Sequence, residues 1–99
     1  MSFTKFDDGK IKYHLIDFDF EKELASILTE GAARYGEYNW QEADPVDAEH
    51  RYYSALRRHL DAWLRGTEVD PDTGLPHLAH AACNIMFLRW FERNHAKTE

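Results

Sequence analysis

Cysteine, proline and glycine are all scarce in this chain, which carries one, three and five of them in 99 residues. A single cysteine, Cys83, cannot form an intramolecular disulfide, so the stapled framework of a small oxidised domain is excluded and a reducing compartment fits. Long apolar runs are missing too. Met1 to Phe20 alternates charged and aromatic residues without an apolar centre, so no secretory leader is expected. The best apolar run is short and interrupted, so neither a membrane span nor a membrane partner is expected, and a cytoplasmic location follows. Positive charge is limited: 12 Lys and Arg against 18 Asp and Glu give a formal charge of −6. That excludes a generally basic surface for long nucleic acid, but leaves room for a local basic pocket that takes a small anion. There is no Gly-rich phosphate loop, no cysteine-based zinc site, no Gly-x-Ser-x-Gly turn and no internal repeat.

What is present is a chain of 43% hydrophobic residues whose apolar positions recur at helical spacing. The pattern predicts an all-α fold: a compact three-helix domain covering residues 1–99, with an aromatic arm over 1–18 and helices over about 19–36, 45–65 and 75–95. The arm should lie across the domain, since Phe3, Phe6, Tyr13, Leu15 and Phe18 carry too much area to leave in water. Asp7, Asp8, Gly9 and Lys10 read as a turn. Asp19 is the expected cap of the first helix and Gly36 its end; Asp44-Pro45 opens the second and Gly66 closes it. The third helix should start near Leu75, with Pro76 in its first turn and the acidic approach of Glu68, Asp70 and Asp72 at its positive end. It is long and largely apolar.

Set into that third helix are His77, His80 and Asn84, whose spacing places them within roughly 60° of one another. Such a stripe suits metal binding or hydrogen bonds to phosphate oxygens; the plainer reading is a pair of core histidines satisfied by carbonyls or carboxylates. His59, central on the buried stripe of Ala48, Tyr52, Ala55, Leu56 and Trp63, needs an internal partner, for which His77, His80 or the Glu68 to Asp72 loop is placed. Arg34, Tyr35, Asn39 and Trp40 fall in RYGEYNW, where flat rings beside a guanidinium suit a purine and its phosphate, although Trp40 equally suits a hydrophobic plug. Lys10 and Arg58 are further candidate cations, whereas Arg51 and Arg65 read as a solvated face. An EF-hand loop fails because the glycine comes one position late and Ala79 stands where the bidentate glutamate belongs. The metalloprotease helix fails because His77 and His80 are three apart.

The segments DDGK (Asp7 to Lys10), GAARYGEYNW (Gly31 to Trp40), RYYSALRRHLDAW (Arg51 to Trp63) and GTEVDPDTGLPHLAHAACN (Gly66 to Asn84) together resemble the phage and prophage domain family named dATP/dGTP diphosphohydrolase, N-terminal. The likeness covers nearly the whole chain and is most specific from Glu68 to His80; Arg34 stands where lysine is the more usual residue. The resemblance implies an all-α domain concerned with purine nucleotides in a phage-infected or prophage-carrying bacterium. The helical Glu-Glu-x-x-Glu and later Glu-x-x-Asp of the magnesium pyrophosphohydrolases are missing, with Glu21-Lys22-Glu23 a distant echo.

Two functions follow as expectations. In the first, the protein holds or sequesters a purine nucleotide, including a signalling nucleotide of host defence, without cleaving it. Lys10, Arg34, Arg58, His77 and His80 would then grip phosphates, with Asn39 and Asn84 as further polar contacts and Tyr35 or Trp40 stacking on the base. In the second, it is a diphosphohydrolase releasing a nucleoside monophosphate, with Mg2+ or Mn2+ on Glu68, Asp70 and Asp72 and His59, His77 or His80 as general base. Binding ranks ahead because the magnesium signature is missing. A homo-oligomer through the C-terminal helix is also expected, because Met86, Phe87, Trp90 and Phe91 span more than half of its circumference.

Overall fold

A computed structural model describes residues 9–95. Phe3, Phe6, Asp7 and Asp8, assigned above to the arm and its turn, lie outside the described residues. The chain is all-α, with helices α1 (Phe18–Tyr35), α2 (Pro45–Leu64) and α3 (His77–Asn94), and short 3-10 turns at Tyr13–Leu15 and Asn39–Glu42.

Helix α1 is capped two residues before the expected position. Asp17, not Asp19, accepts the Phe20 N–H at 2.9 Å, because an N-cap carboxylate reaches the third helical N–H and only Asp17 stands three residues ahead of Phe20. Asp19 and Glu21 then sit in the first turn, where the helix dipole favours them. The helix ends at Gly36, whose φ of +97° favours glycine and whose N–H donates to the Ala32 carbonyl. Asp44 caps α2 through the N–H groups of Val46 and Asp47, with Pro45 in the first turn.

Helix α3 begins at His77 instead of Leu75, with Pro76 as an extended cap residue and no acidic group in the first turn. The loop before it is closed by its own main chain: Asp70 N–H to Leu75 O at 2.9 Å, Gly74 N–H to Asp70 O at 2.8 Å and His77 N–H to Glu68 O at 2.9 Å. These bonds fix where Asp70 and His77 stand relative to each other.

Helix α3 packs on both other helices, more extensively on α2. Ala48 on α2 and Ala79 on α3 are fully buried, and residues this small let two backbones approach closely. Among the described residues the other buried side chains are Ala81, Cys83 and Phe91, with the polar His77 and Asn84; no bulky side chain is fully enclosed. The core is therefore thin and partly polar. The described part of the arm does not cover it: Tyr13, Leu15 and Phe18 are each about three-quarters exposed. The cover for Phe87, Trp90 and Phe91 comes instead from Trp40, stacked on Phe87 at 4.4 Å and edge-on to the other two. This leaves Ile85 and Met86 as exposed apolar residues in that stretch of α3.

Candidate functional site

His59 projects from the C-terminal half of α2 toward the start of α3, where His77 Nδ1 lies 2.9 Å from His59 Nδ1. The His80 ring lies parallel to that of His59 at 4.6 Å, and the Asp70 Oδ2 oxygen is 3.8 Å from His59 Nδ1. Asp70 Oδ1 accepts the Asp72 N–H at 2.7 Å, so one carboxylate oxygen is tied to the loop and the other faces the imidazoles. His80 Nε2 pairs with the Thr73 hydroxyl at 2.7 Å. None of the three rings hydrogen-bonds a main-chain carbonyl, and the buried His77 Nε2 has no partner. These are not core histidines satisfied by carbonyls.

The electrostatics favour the neutral form of two of the imidazoles, His59 and His80. Burial, then the neighbouring His80 and His77 and the Arg58 cation, hold His59 down to about 4 against the pull of Asp70. Burial and His77 also lower His80, opposed by Asp70 and Glu30. Burial by itself raises the Asp70 carboxyl, but the Asp72 N–H bond and the nearby imidazoles outweigh it and leave it below its ordinary value. Cys83 in α3 is pushed up to about 11 by burial and is an inert thiol.

An open groove of about 1160 Å³ lies between α1, the 36–43 segment and α3, with Arg51 and Tyr52 of α2 also in its lining. Tyr35, Asn39, Trp40, His80 and Asn84, five of the residues singled out from sequence, line it together. Tyr35 is largely exposed, whereas Trp40 is engaged with Phe87, so the two rings differ in how free a face they offer. The Tyr52 hydroxyl donates to the Trp40 carbonyl at 2.9 Å and anchors the segment on α2. The Asn84 amide donates to the His80 carbonyl at 2.9 Å.

The other candidates stand elsewhere. Arg34 pairs with Glu30 at 2.7 Å on an exposed face; Arg58 is exposed on α2; Lys10 is on the exposed segment before α1. His77 is buried and does not line the groove. Of the acidic trio only Asp70 meets the histidines. Glu68 lines a separate pocket of about 430 Å³ with Phe20, Trp63 and Leu78, and Asp72 is exposed.

Sequence reasoning passed over Arg51 and Arg93, the guanidinium groups that line the groove, and Tyr38 beside them. Arg93 follows Trp90 by three residues and so shares its side of α3, a spacing that was there to be used. Arg51 precedes the groove residue Tyr52 on α2. Tyr38 is held at φ +60°, the only positive φ among the described non-glycine residues, and such outliers gather at ligand sites.

No helix among the described residues is long and apolar enough to cross a membrane. No solved structure matches the chain significantly. A protein of Salmonella phage PMBT28 named dATP/dGTP diphosphohydrolase is 39% identical over 94 residues, which cover 95% of this chain and 31% of that protein. The chain thus spans about a third of the length of this curated relative. Residues 2–99 match the family described as dATP/dGTP diphosphohydrolase, N-terminal, and with nearly the whole sequence inside that match, the chain belongs to this family.

Proposed function

We propose that the chain is a purine-nucleotide-binding module that holds its ligand in the groove between α1, the 36–43 segment and α3. The observation that carries this reading is the convergence there of exposed tyrosine rings, two guanidinium groups and an amide beside an imidazole. Tyr35 and Tyr38 offer flat faces for a base, Arg51 and Arg93 offer charge-assisted hydrogen bonds to phosphate, and Asn84 and His80 supply polar contacts between them. A local pair of arginines suits a small anion on a chain whose net charge is negative. The family's name and the phage relative's name support a purine deoxynucleotide as ligand.

Cleavage is the second reading, favoured by the His59, Asp70 and His77 cluster, which touches the groove through His80. A hydrolytic form would release a nucleoside monophosphate and would need Mg2+ or Mn2+ to neutralise the phosphates.

The two readings separate when the chain is incubated with dATP, dGTP and their mono- and diphosphates, with and without Mg2+ or Mn2+, and the products are chromatographed. Binding predicts an intact, retained nucleotide; hydrolysis predicts the monophosphate. Arg51→Ala and Arg93→Ala should each weaken triphosphate retention by roughly tenfold or more, and monophosphate retention less. Equal small losses for both ligands would remove the arginines from the phosphate role.

A further inference from the structure

We propose that His59, Asp70 and His77 form a binding site for one divalent transition ion of the zinc class, held by two imidazole nitrogens and one carboxylate oxygen. The inference stands apart from the nucleotide-binding reading, since none of the three residues lines the groove.

The three donor atoms lie within 4.8 Å of one another. Each comes from a different and independently fixed place: His59 from the C-terminal half of α2, His77 from the first turn of α3, and Asp70 from a loop locked by main-chain bonds at both of its ends. The carboxylate is already oriented, because Oδ1 is tied to the Asp72 N–H and Oδ2 is turned toward His59. The two Nδ1 atoms at 2.9 Å can share only one proton, and His77 has no partner at Nε2, so Nδ1 is the one atom through which this buried ring does anything polar.

The change needed on binding is small. Zn–N bonds of about 2.0–2.1 Å in tetrahedral geometry set the two nitrogens roughly 3.3–3.4 Å apart, so the rings must part by about half an ångström. Asp70 closes by a similar amount on His59 from its 3.8 Å separation and by more on His77, since the three donors span up to 4.8 Å. No proton has to leave: both rings become Nε2–H tautomers, and each presents a lone pair at Nδ1. Two nitrogens with one oxygen select a borderline ion such as Zn2+ or Co2+ over Mg2+, which prefers oxygen ligands and keeps its water. The expected carboxylate set of Glu68, Asp70 and Asp72 is a different site, and the structure does not gather it.

The test uses the full chain without any added polyhistidine. Titration with Co2+ should give the intense visible absorption of a nitrogen-ligated, low-coordinate ion, and equilibrium dialysis should retain one Zn2+ per chain against about a thousandfold excess of Mg2+. Asp70→Asn keeps an oxygen for the Asp72 N–H but loses the anionic donor, and should weaken Zn2+ binding by on the order of 100-fold. His59→Gln should do the same, while Glu68→Gln should bind as the parent does. If His59→Gln fails to melt cooperatively, Asp70→Asn alone decides. The proposal is overturned if no Co2+ spectrum and no retained zinc appear, or if folded Asp70→Asn binds within about threefold of the parent. Nucleotide retention measured on metal-stripped protein reports the groove separately, so either site can fail without the other.

Discussion

The two flanks of α3 are built on opposite plans. On the α2 side α3 packs more extensively, and the polar groups there are held by one another: His59 to His77, His80 to Thr73, Asp70 to its own loop. On the α1 side the packing is sparser, and an open groove is lined by large rings and two arginines, with Tyr35 and Tyr38 each more than two-thirds exposed. Closer packing on one side holds the donor atoms against one another; sparser packing on the other leaves an open groove. One helix thus supplies a preorganised flank and a roomy one, and His80 belongs to both.

The contrast is broken most severely where the two flanks meet, at Phe91. This ring is buried and touches Trp40, Tyr52 and Trp90, so it supports both the α2 seam and the anchored 36–43 segment. Phe91→Ala should cost about 3–5 kcal/mol of stability, lowering Tm by more than about 10 °C. Met86→Ala, on the groove side and partly exposed, should cost less than about 1 kcal/mol. Urea denaturation of both variants compares them directly; equal losses would mean that the flanks are not packed differently.

Acid sharpens the contrast, because it acts on one flank. His59 has a folded-state value of about 4 against 6.5 unfolded, so between those values the unfolded chain binds more protons. Stability contributed by the neutral imidazole is complete above about pH 6.5 and is lost as the pH falls toward 4. His80 shifts in the same sense, and Asp70 adds to the loss only below its ordinary carboxyl range. In metal-stripped protein the loss by pH 5 should be about 1–2 kcal/mol, read as a falling Tm. His59→Gln should flatten that slope; an unchanged slope in the variant would assign the acid sensitivity to other groups.

The same two plans explain what could be read from the sequence. The all-α fold was legible because Asp44-Pro45, Gly36 and Gly66 act locally, through caps and positive φ that depend on neighbours in the chain. The Asp17 cap was missed because two aspartates stand two residues apart and only the cap bond tells them apart. His59 could be matched with His77, His80 and the Glu68 to Asp72 loop because a buried imidazole on a helical stripe demands a partner, and few were available. Which carboxylate would join them was not legible: Glu68, Asp70 and Asp72 alternate identically, and the choice is made by main-chain bonds between Asp70, Gly74 and Leu75. The groove depends on how far α1 stands from α3, a distance that no local pattern encodes. Arg51 and Arg93 acquire their meaning only from it, whereas Arg34 turned to Glu30, four residues away on its own helix.

Tyr38 offers the smallest change in stability and the finest test of the roomy flank. Its φ of +60° is unfavourable for a tyrosine by roughly 1 kcal/mol, and its ring is 68% exposed, so local packing does not explain why the residue stands there. Asn accepts that backbone region more readily than tyrosine and does not add the unfolded-state freedom that glycine brings. Tyr38→Asn should therefore leave stability unchanged or raise it by up to about 1 kcal/mol, while removing a stacking face worth roughly 1–3 kcal/mol to a bound base. The effects have opposite signs, and calorimetric melting together with nucleotide retention on the same preparation reads both. A loss of stability would make the ring a packing element after all. Unchanged retention would show that the base, if it binds in the groove, lies on Tyr35 or elsewhere, and that the strain at Tyr38 serves the turn leading to Asn39 and Trp40 and not the ligand.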